Sequence, residues 1–142
     1  MGIAGLTCAV GLGFSLAVTS TMALGAATQR GLSALQGTWL DSGFACDAVF
    51  VSAGRGSAFK KPVDMFAPAF IIAGNRLRTP HASCRVKAVK EVADRQILSL
   101  DCATSVAVSE TKAMLSRSSD GSIRRFTNDQ DPVGSSYRRC DR

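Results

Sequence analysis

The strongest indication of the fold lies in residues 84–102, CRVKAVKEVADRQILSLDC, a segment that begins and ends with cysteine. Two runs of alternating polarity flank its centre, and with the two cysteines opposite each other they fit one antiparallel hairpin. On one face this register pairs Cys84 with Cys102, Val86 with Leu100 and Ala88 with Leu98. On the other face it pairs Arg85 with Asp101, Lys87 with Ser99 and Val89 with Ile97. The same register places the cysteines with apolar residues and a cation opposite an anion, which predicts a disulfide-bonded β-hairpin.

Four cysteines lie beyond residue 28, namely Cys46, Cys84, Cys102 and Cys140. The hairpin favours a Cys84–Cys102 bond, which leaves Cys46–Cys140 to tie the first part of the chain to its C-terminal end. The pairing of Cys46 with Cys84 and of Cys102 with Cys140 stays open. Zinc sites usually take their ligands in close pairs such as C-x2-C, and no such pair is present. We therefore expect two disulfides, no metal and no cofactor, in a chain that folds in an oxidising compartment.

Residues 1–27 predict a signal peptide. The stretch 2–27 has no charged residue and ends in small residues suited to cleavage near 23–27. The cation that usually precedes the apolar core is absent, and a membrane-spanning anchor is the alternative. Cleavage would also remove the fifth cysteine, Cys8. We expect export to the periplasm, one domain at 28–142, and membrane contact only through an uncleaved signal.

Beyond the signal, short apolar runs alternate with clusters of Gly, Pro, Ser, Asn and Asp, which is typical of an antiparallel β domain. The predicted strands are 35–40, 46–52, 68–73, 82–90, 96–103, 105–109, 111–117, 122–127 and 135–140. Turns are expected at Gly74-Asn75 and Asp120-Gly121. Residues 53–67 form one long irregular connection, with a helical turn at 63–67. The fold class is all-β, a small antiparallel up-and-down barrel of about eight strands, with a flattened sandwich as the alternative.

A barrel this narrow can be filled by its own side chains. The predicted interior residues are Trp39, Phe50, Phe70, Ile72, Leu98 and Leu100. This filling argues against a small-molecule carrier, which needs an empty interior.

Residues suited to catalysis are scarce. The single histidine, His81, follows a proline in a turn-like segment, and the carboxylates are scattered. Asp129 and Asp131 could chelate calcium, but their surroundings read first as a polar loop. No nucleophile–base motif is present, and we expect a protein that is not an enzyme.

The cations are a better indication of function. The chain carries 17 Lys and Arg against 11 Asp and Glu, a net charge of +6. The candidate binding residues are Arg55, Lys60 and Lys61 in the long connection, and Arg76 and Arg78 after a turn. Such a surface suits a polyanion such as lipopolysaccharide phosphate or an acidic cell-wall polymer. Nucleic acid is disfavoured because an exported chain rarely meets it and aromatic residues for stacking are few.

Three segments carry a resemblance to a known group of proteins. They are 35–40 (LQGTWL), 46–50 (CDAVF) and 115–126 (LSRSSDGSIRRF), and the first contains the Gly37-Thr38-Trp39 motif. Together they resemble the small lipocalin-like barrels of Gram-negative periplasms, which include metalloprotease inhibitors and lysozyme inhibitors. The resemblance to the metalloprotease inhibitors implies an inhibitory N-terminal segment at 28–34. The resemblance to the lysozyme inhibitors implies a loop that enters the lysozyme cleft, with Ser57 and Lys60 as its contacts.

Two functions from different classes follow. The expected function is a periplasmic inhibitor or binding protein that blocks a hydrolase, such as lysozyme, by inserting a loop or N-terminal segment in its cleft. The alternative is a structural or ligand-binding envelope protein whose basic surface holds lipopolysaccharide or cell-wall polymer. The salt dependence of binding distinguishes the two functions, because the affinity for a polyanion falls steeply with ionic strength.

Overall fold

A computed structural model describes residues 30–141 of the chain, and the predicted signal peptide lies outside these residues. The described residues form ten strands: β1 (Gly37–Asp41), β2 (Phe50–Ala53), β3 (Gly56–Phe59), β4 (Ala69–Ala73), β5 (Arg76–Arg78), β6 (Ser83–Val92), β7 (Arg95–Ala103), β8 (Val108–Arg117), β9 (Ile123–Phe126) and β10 (Ser135–Arg139). Residues 30–33 are helical, and Cys46–Val49 form a one-turn helix.

Eight of these strands close into an antiparallel barrel in the order β1-β10-β9-β8-β7-β6-β5-β4. Strand β1 closes the ring by pairing with β10 on one side and β4 on the other. The remaining two strands, β2 and β3, form a separate two-stranded sheet outside the ring. The predicted small antiparallel barrel is confirmed, and the sandwich alternative is wrong.

The barrel interior is a single apolar cluster. Its strand residues include Trp39, Phe70, Ile72, Leu77, Val86, Leu98, Leu100, Leu115, Ile123 and Tyr137. Leu32 and Leu35, which precede β1, join this cluster, and the Leu35 carbonyl accepts a hydrogen bond from Trp39 Nε1 at 3.0 Å. Five of the six predicted interior residues lie here, but Phe50 does not.

Phe50 instead belongs to a second cluster on the outer face of β1 and β4. This outer cluster contains Leu40, Val49, Phe50, Ala67, Ala69 and Ile71, with Phe59, Cys46 and Cys140 packed beside it. One face of β1 and β4 is therefore buried in the barrel interior, and the other face is buried in the outer cluster. This two-sided burial explains why 69–73 (AFIIA) is a continuous apolar run rather than an alternating one.

The two disulfides are Cys84–Cys102, with Cα atoms 3.9 Å apart, and Cys46–Cys140, with Cα atoms 5.6 Å apart. The favoured pairing is confirmed and the alternative is wrong. The first bond joins adjacent barrel strands. The second joins the one-turn helix to the end of β10, across a sequence separation of 94 residues.

The β6–β7 register agrees with the prediction only as far as Val86. A β-bulge at Lys87 then shifts it, so that Ala88 pairs with Ser99 and Val89 with Leu98. The predicted pairs beyond Val86 are therefore wrong. The physical reason is packing: the extra residue turns Val89 toward the interior cluster, while Ala88 becomes exposed.

Three further expectations are corrected. The predicted strand 46–52 begins as the helix Cys46–Val49 and becomes extended only at Phe50. Two strands were predicted at 105–109 and 111–117, but residues 108–117 form one strand, β8, and residues 105–107 lie in the turn between β7 and β8. The long connection 53–67 contains β3, and the helical turn predicted at 63–67 is reduced to one hydrogen-bonded turn. There the Ala67 N–H donates to Asp64 O at 3.2 Å and the Phe66 N–H donates to Asp64 Oδ1 at 2.9 Å. The turns at Gly74 and Gly121 are confirmed, each with a left-handed φ that suits glycine.

Candidate functional site

The β2–β3 hairpin is the part of the structure that stands apart from the barrel. Its register pairs Phe50 with Phe59 at the base and Ala53 with Gly56 at the tip, which leaves Gly54-Arg55 as a two-residue turn. Gly54 has φ +59, a value that glycine adopts easily at the first position of a tight hairpin turn. The sequence 53–58 (AGRGSA) is made of small residues apart from Arg55. The result is a narrow projection with one long cationic side chain at its tip.

The base of the hairpin is fixed to the barrel wall. The rings of Phe50 and Phe59 lie 5.4 Å apart, and Phe50 is 8% exposed against the outer cluster. The Lys60 N–H donates to Val49 O at 2.9 Å, which continues the pairing for one more step. The Cys46–Cys140 disulfide anchors the preceding helix. These contacts hold the base while the residues of the tip remain exposed.

A cleft of about 1330 Å³ lies between the hairpin and the outer wall of β10, β1, β4 and β5. Ser52 and Ser57 share the face of the hairpin that carries Phe50 and Phe59, because side chains alternate along a strand. That face packs on the barrel at its base, so the two hydroxyls line the cleft above the aromatic pair. Ile71 and Ile72 contribute to the opposite wall. The cleft thus combines an apolar floor with hydroxyl groups and charged sides.

Arginines dominate the charge of this cleft. Arg55, Arg78, Arg138 and Arg139 line it together with Asp47 and Asp141. Arg139 is neutralised by Asp141, with Nε–Oδ1 at 2.9 Å and Nη2–Oδ2 at 2.8 Å. Partial burial would raise the pKa of Asp141, but hydrogen bonds from Arg139 and from the Thr38 N–H outweigh it and lower that pKa.

The other arginines differ in how they are engaged. Arg138 donates to the Phe44 carbonyl, which fixes its guanidinium without neutralising it. Within residues 30–141, neither Arg55 nor Arg78 forms an ion pair or a side-chain hydrogen bond. Both therefore present free donors and an uncompensated charge to a ligand in this region.

The predicted binding residues divide into three groups. Arg55, Ser57 and Arg78 line the same cleft. Arg76 lies two residues before Arg78 on β5 and is exposed on the outer face. Lys60 and Lys61 lie at the hairpin base, where Lys60 Nζ donates to Asp47 O at 3.3 Å. Ser52 and Arg138 also line this cleft but were not among the predicted binding residues, although the Cys46–Cys140 bond could have indicated that the end of β10 lies beside this segment.

The described part of the predicted N-terminal inhibitory segment is not free. Residues 30–33 are helical, and Leu32 is 3% exposed within the barrel cluster. A Cβ on Gly31 would approach Val89 Cγ1 to 2.8 Å, which shows how closely this backbone lies on β6. The expectation of a free segment from the metalloprotease-inhibitor resemblance is wrong for residues 30–34.

His81 is exposed, and residues 30–141 contain no group of three or more His, Cys, Asp or Glu that could hold a metal ion. None of the helices in this part of the chain has the length and apolar character needed to cross a membrane.

No protein-family model, curated protein or solved structure matches this chain.

Proposed function

We propose that this protein is an exported, non-enzymatic inhibitor that blocks a hydrolase by placing the β2–β3 hairpin in the enzyme's cleft. The observation that carries the proposal is the hairpin itself, which lies outside the closed barrel and is held only at its base. Residues 53–56 at its tip are exposed and pack on no apolar cluster, whereas an occluding element needs both a projecting tip and a rigid base. Lysozyme is the expected target class.

The composition of the tip suits a narrow cleft. Two paired strands are about 5 Å apart, and small side chains add little to that width. Arg55 is the long cationic side chain at the turn. Glycoside hydrolases carry a pair of catalytic carboxylates, and a guanidinium can bind a carboxylate with two parallel hydrogen bonds. In the proposed complex the Arg55 guanidinium meets these carboxylates and the small residues fill the substrate path.

The rigid base supports tight binding. Ordering a flexible loop on association costs free energy, and a segment already held in its bound shape avoids most of that cost. Here the Phe50–Phe59 contact and the Cys46–Cys140 disulfide provide that order before the target arrives. The same disulfides indicate folding in an oxidising environment. Periplasmic location, with 1–27 as its signal, is part of the proposal.

The net charge of +6 gives the interaction an unusual salt dependence. Lysozymes are usually strongly basic, so the partners repel each other at long range and encounter is slowed at low salt. Moderate salt screens this repulsion. We expect the association rate with a basic lysozyme to rise as salt increases, opposite to the behaviour of polyanion binding.

The test is an inhibition assay with the disulfide-bonded protein and a c-type lysozyme, following the clearing of cell-wall suspensions. We expect inhibition near equimolar ratio and a loss of at least tenfold in potency for Arg55→Gln, since a charge-assisted bidentate contact is worth roughly 1.5–3 kcal/mol. Lys61→Gln is the matched control, because it removes the same charge from an exposed side chain that follows the hairpin base. Inhibition that Arg55→Gln leaves unchanged would refute the hairpin mechanism. No inhibition at large excess would eliminate lysozyme as the target.

A further inference from the structure

Three exposed arginines lie together on the outer face of β5 and β6. Arg76 and Arg78 occupy alternate positions on β5 and therefore point to the same side. Arg85 on β6 is directly opposite Arg76. In such an arrangement the backbone positions are separated by about 5 Å across strands and about 7 Å along a strand. Arg76, Arg78 and Arg85 are called the arginine face below.

The nearest carboxylates are engaged elsewhere. Asp101 on β7 is opposite Arg85, and Glu110 on β8 is opposite Asp101. Lys87, the bulged residue, pairs with both of them, with Nζ 3.5 Å from Asp101 Oδ1 and 2.8 Å from Glu110 Oε1. The hydrogen bond to Glu110 and the charge of Asp101 together raise the pKa of Lys87. Within residues 30–141 none of the three arginines forms an ion pair.

This arrangement is unfavourable for the isolated protein. Like charges directly opposite each other on neighbouring strands destabilise the pair, as they do for Arg76 and Arg85. Asp101 lies opposite Arg85 and could relieve part of this repulsion, but its carboxylate pairs with Lys87. The charge on the arginine face therefore remains available to an anion.

We propose that the arginine face binds a ligand with adjacent phosphate groups. A phosphate group offers several acceptor oxygens, so that more than one guanidinium fork can bind it at once, each with two parallel hydrogen bonds. Packed lipid headgroups and a soluble polyphosphate share this chemistry. The site is independent of the hairpin mechanism except at Arg78, which also lines the cleft.

The first experiment is a titration of the disulfide-bonded protein with inorganic pyrophosphate and, separately, with vesicles containing one-fifth phosphatidylglycerol in phosphatidylcholine. We expect binding that weakens as salt is raised. The two affinities are compared after the vesicle concentration is expressed as pairs of lipid phosphates. If the affinity for pyrophosphate is comparable to that for the vesicles, the ligand is a soluble polyphosphate. Much tighter binding to vesicles identifies a lipid surface. Absence of binding to both at physiological salt overturns the proposal.

The matched variants are Arg85→Gln and Arg124→Gln, which remove the same charge. Arg124 is exposed on β9, four strands from β5 in either direction around the barrel. We expect Arg85→Gln to weaken binding about tenfold, since it removes charge-assisted hydrogen bonds, and Arg124→Gln less than about twofold. Equal losses in the two variants would mean a diffuse charge effect and would overturn the site.

A second variant tests the role of Lys87 and leaves the three residues of the arginine face unchanged. Lys87→Gln frees Asp101 and Glu110 to pair with Arg85, and we expect it to weaken anion binding more than Lys112→Gln, a change of the same charge on β8. Equal effects of these two changes would refute the role assigned to Lys87. Neither change should alter lysozyme inhibition, and Arg55→Gln should leave anion binding intact. The two proposals can therefore fail separately.

Discussion

The β6–β7 hairpin consists of strands of 10 and 9 residues, whereas each strand of the β2–β3 hairpin has four. Strands β5 and β8 flank the first hairpin, and no strand among the described residues lies beside the second. The first buries one face in the barrel, while the second is buried chiefly at Phe50. Stability is therefore concentrated in the barrel, and the smaller hairpin is left with edges and a tip that are free for recognition.

Loss of the Cys46–Cys140 disulfide should have the largest effect. This bond closes a separation of 94 residues, and the chain-entropy relation gives about 4–5 kcal/mol for such a loop. We expect the double change Cys46→Ser with Cys140→Ser to lower the free energy of unfolding by about this amount in urea denaturation. Amide hydrogen exchange in β2 and β3 should also accelerate more than in β6 and β7. Uniform acceleration would contradict the local role given to this disulfide.

Loss of the Cys84–Cys102 disulfide should cost less. Its separation is 18 residues, for which the same relation gives about 3 kcal/mol. We expect the double change Cys84→Ser with Cys102→Ser to destabilise the barrel by this amount while leaving lysozyme inhibition unchanged under folding conditions. Inhibition by the variant and by the unchanged protein is compared at the same concentration of folded protein. A loss of inhibition in the folded variant would show that the two hairpins are coupled.

A smaller effect is expected at the base of the β2–β3 hairpin. Phe59→Ala removes one ring of the aromatic pair, and Phe59 is partly buried. We expect a loss of about 1–2 kcal/mol in urea denaturation, less than for a fully buried aromatic residue. Val51→Ala, at an exposed position of the same hairpin, is the control and should stay within about 0.5 kcal/mol. Equal losses would mean that the hairpin is not held at its base.

The smallest effect concerns acid. The hydrogen bond from Lys87 lowers the pKa of Glu110 below its ordinary value of 4.5. A depressed pKa means that the contact stabilises the folded state above pH 4.5 and is lost as the pH falls through the lower, folded-state pKa. Because the pair is exposed, the change in stability should be small. An NMR titration should show the Glu110 carboxyl titrating below 4.5 in the folded protein, and Lys87→Gln should return it toward that value.

The sequence was sufficient to predict the barrel and half of its central register. Alternation of polar and apolar residues identifies β6 and β7, and the cysteines align them. The bulge at Lys87 could not be read from that pattern, because moving Val89 inward depends on packing against Leu98 and the 30–35 segment. Arg85 was missed as a binding residue because the predicted register pairs it with Asp101. The structure keeps that pairing, but the Asp101 carboxylate lies 3.5 Å from Lys87 Nζ and forms its ion pair there.

The β2–β3 hairpin was predicted less well. Its tip, 53–58, is composed mostly of Gly, Ala and Ser, which lack the alternation that identifies strands. The helix Cys46–Val49 has a sequence that fits a strand equally well and forms only one turn. Arg55, Ser57 and Arg78 were identified as candidates by residue type, but their common cleft arises from β4 and β5 lying beside the hairpin. That proximity is a property of the closed ring.

One consequence follows from the way the chain leaves the barrel after β1 and returns at β4. The Asp41 N–H donates to Pro68 O at 3.0 Å, so the excursion starts and finishes at neighbouring points on the ring. Evolution or an engineer can therefore exchange the whole of 42–67 for another segment without rearranging the eight strands, since surface connections tolerate insertions. The replacement must only cover Leu40 and Ile71 and supply a partner for Cys140. The barrel is in this sense a scaffold that can carry exchangeable segments with different binding specificities.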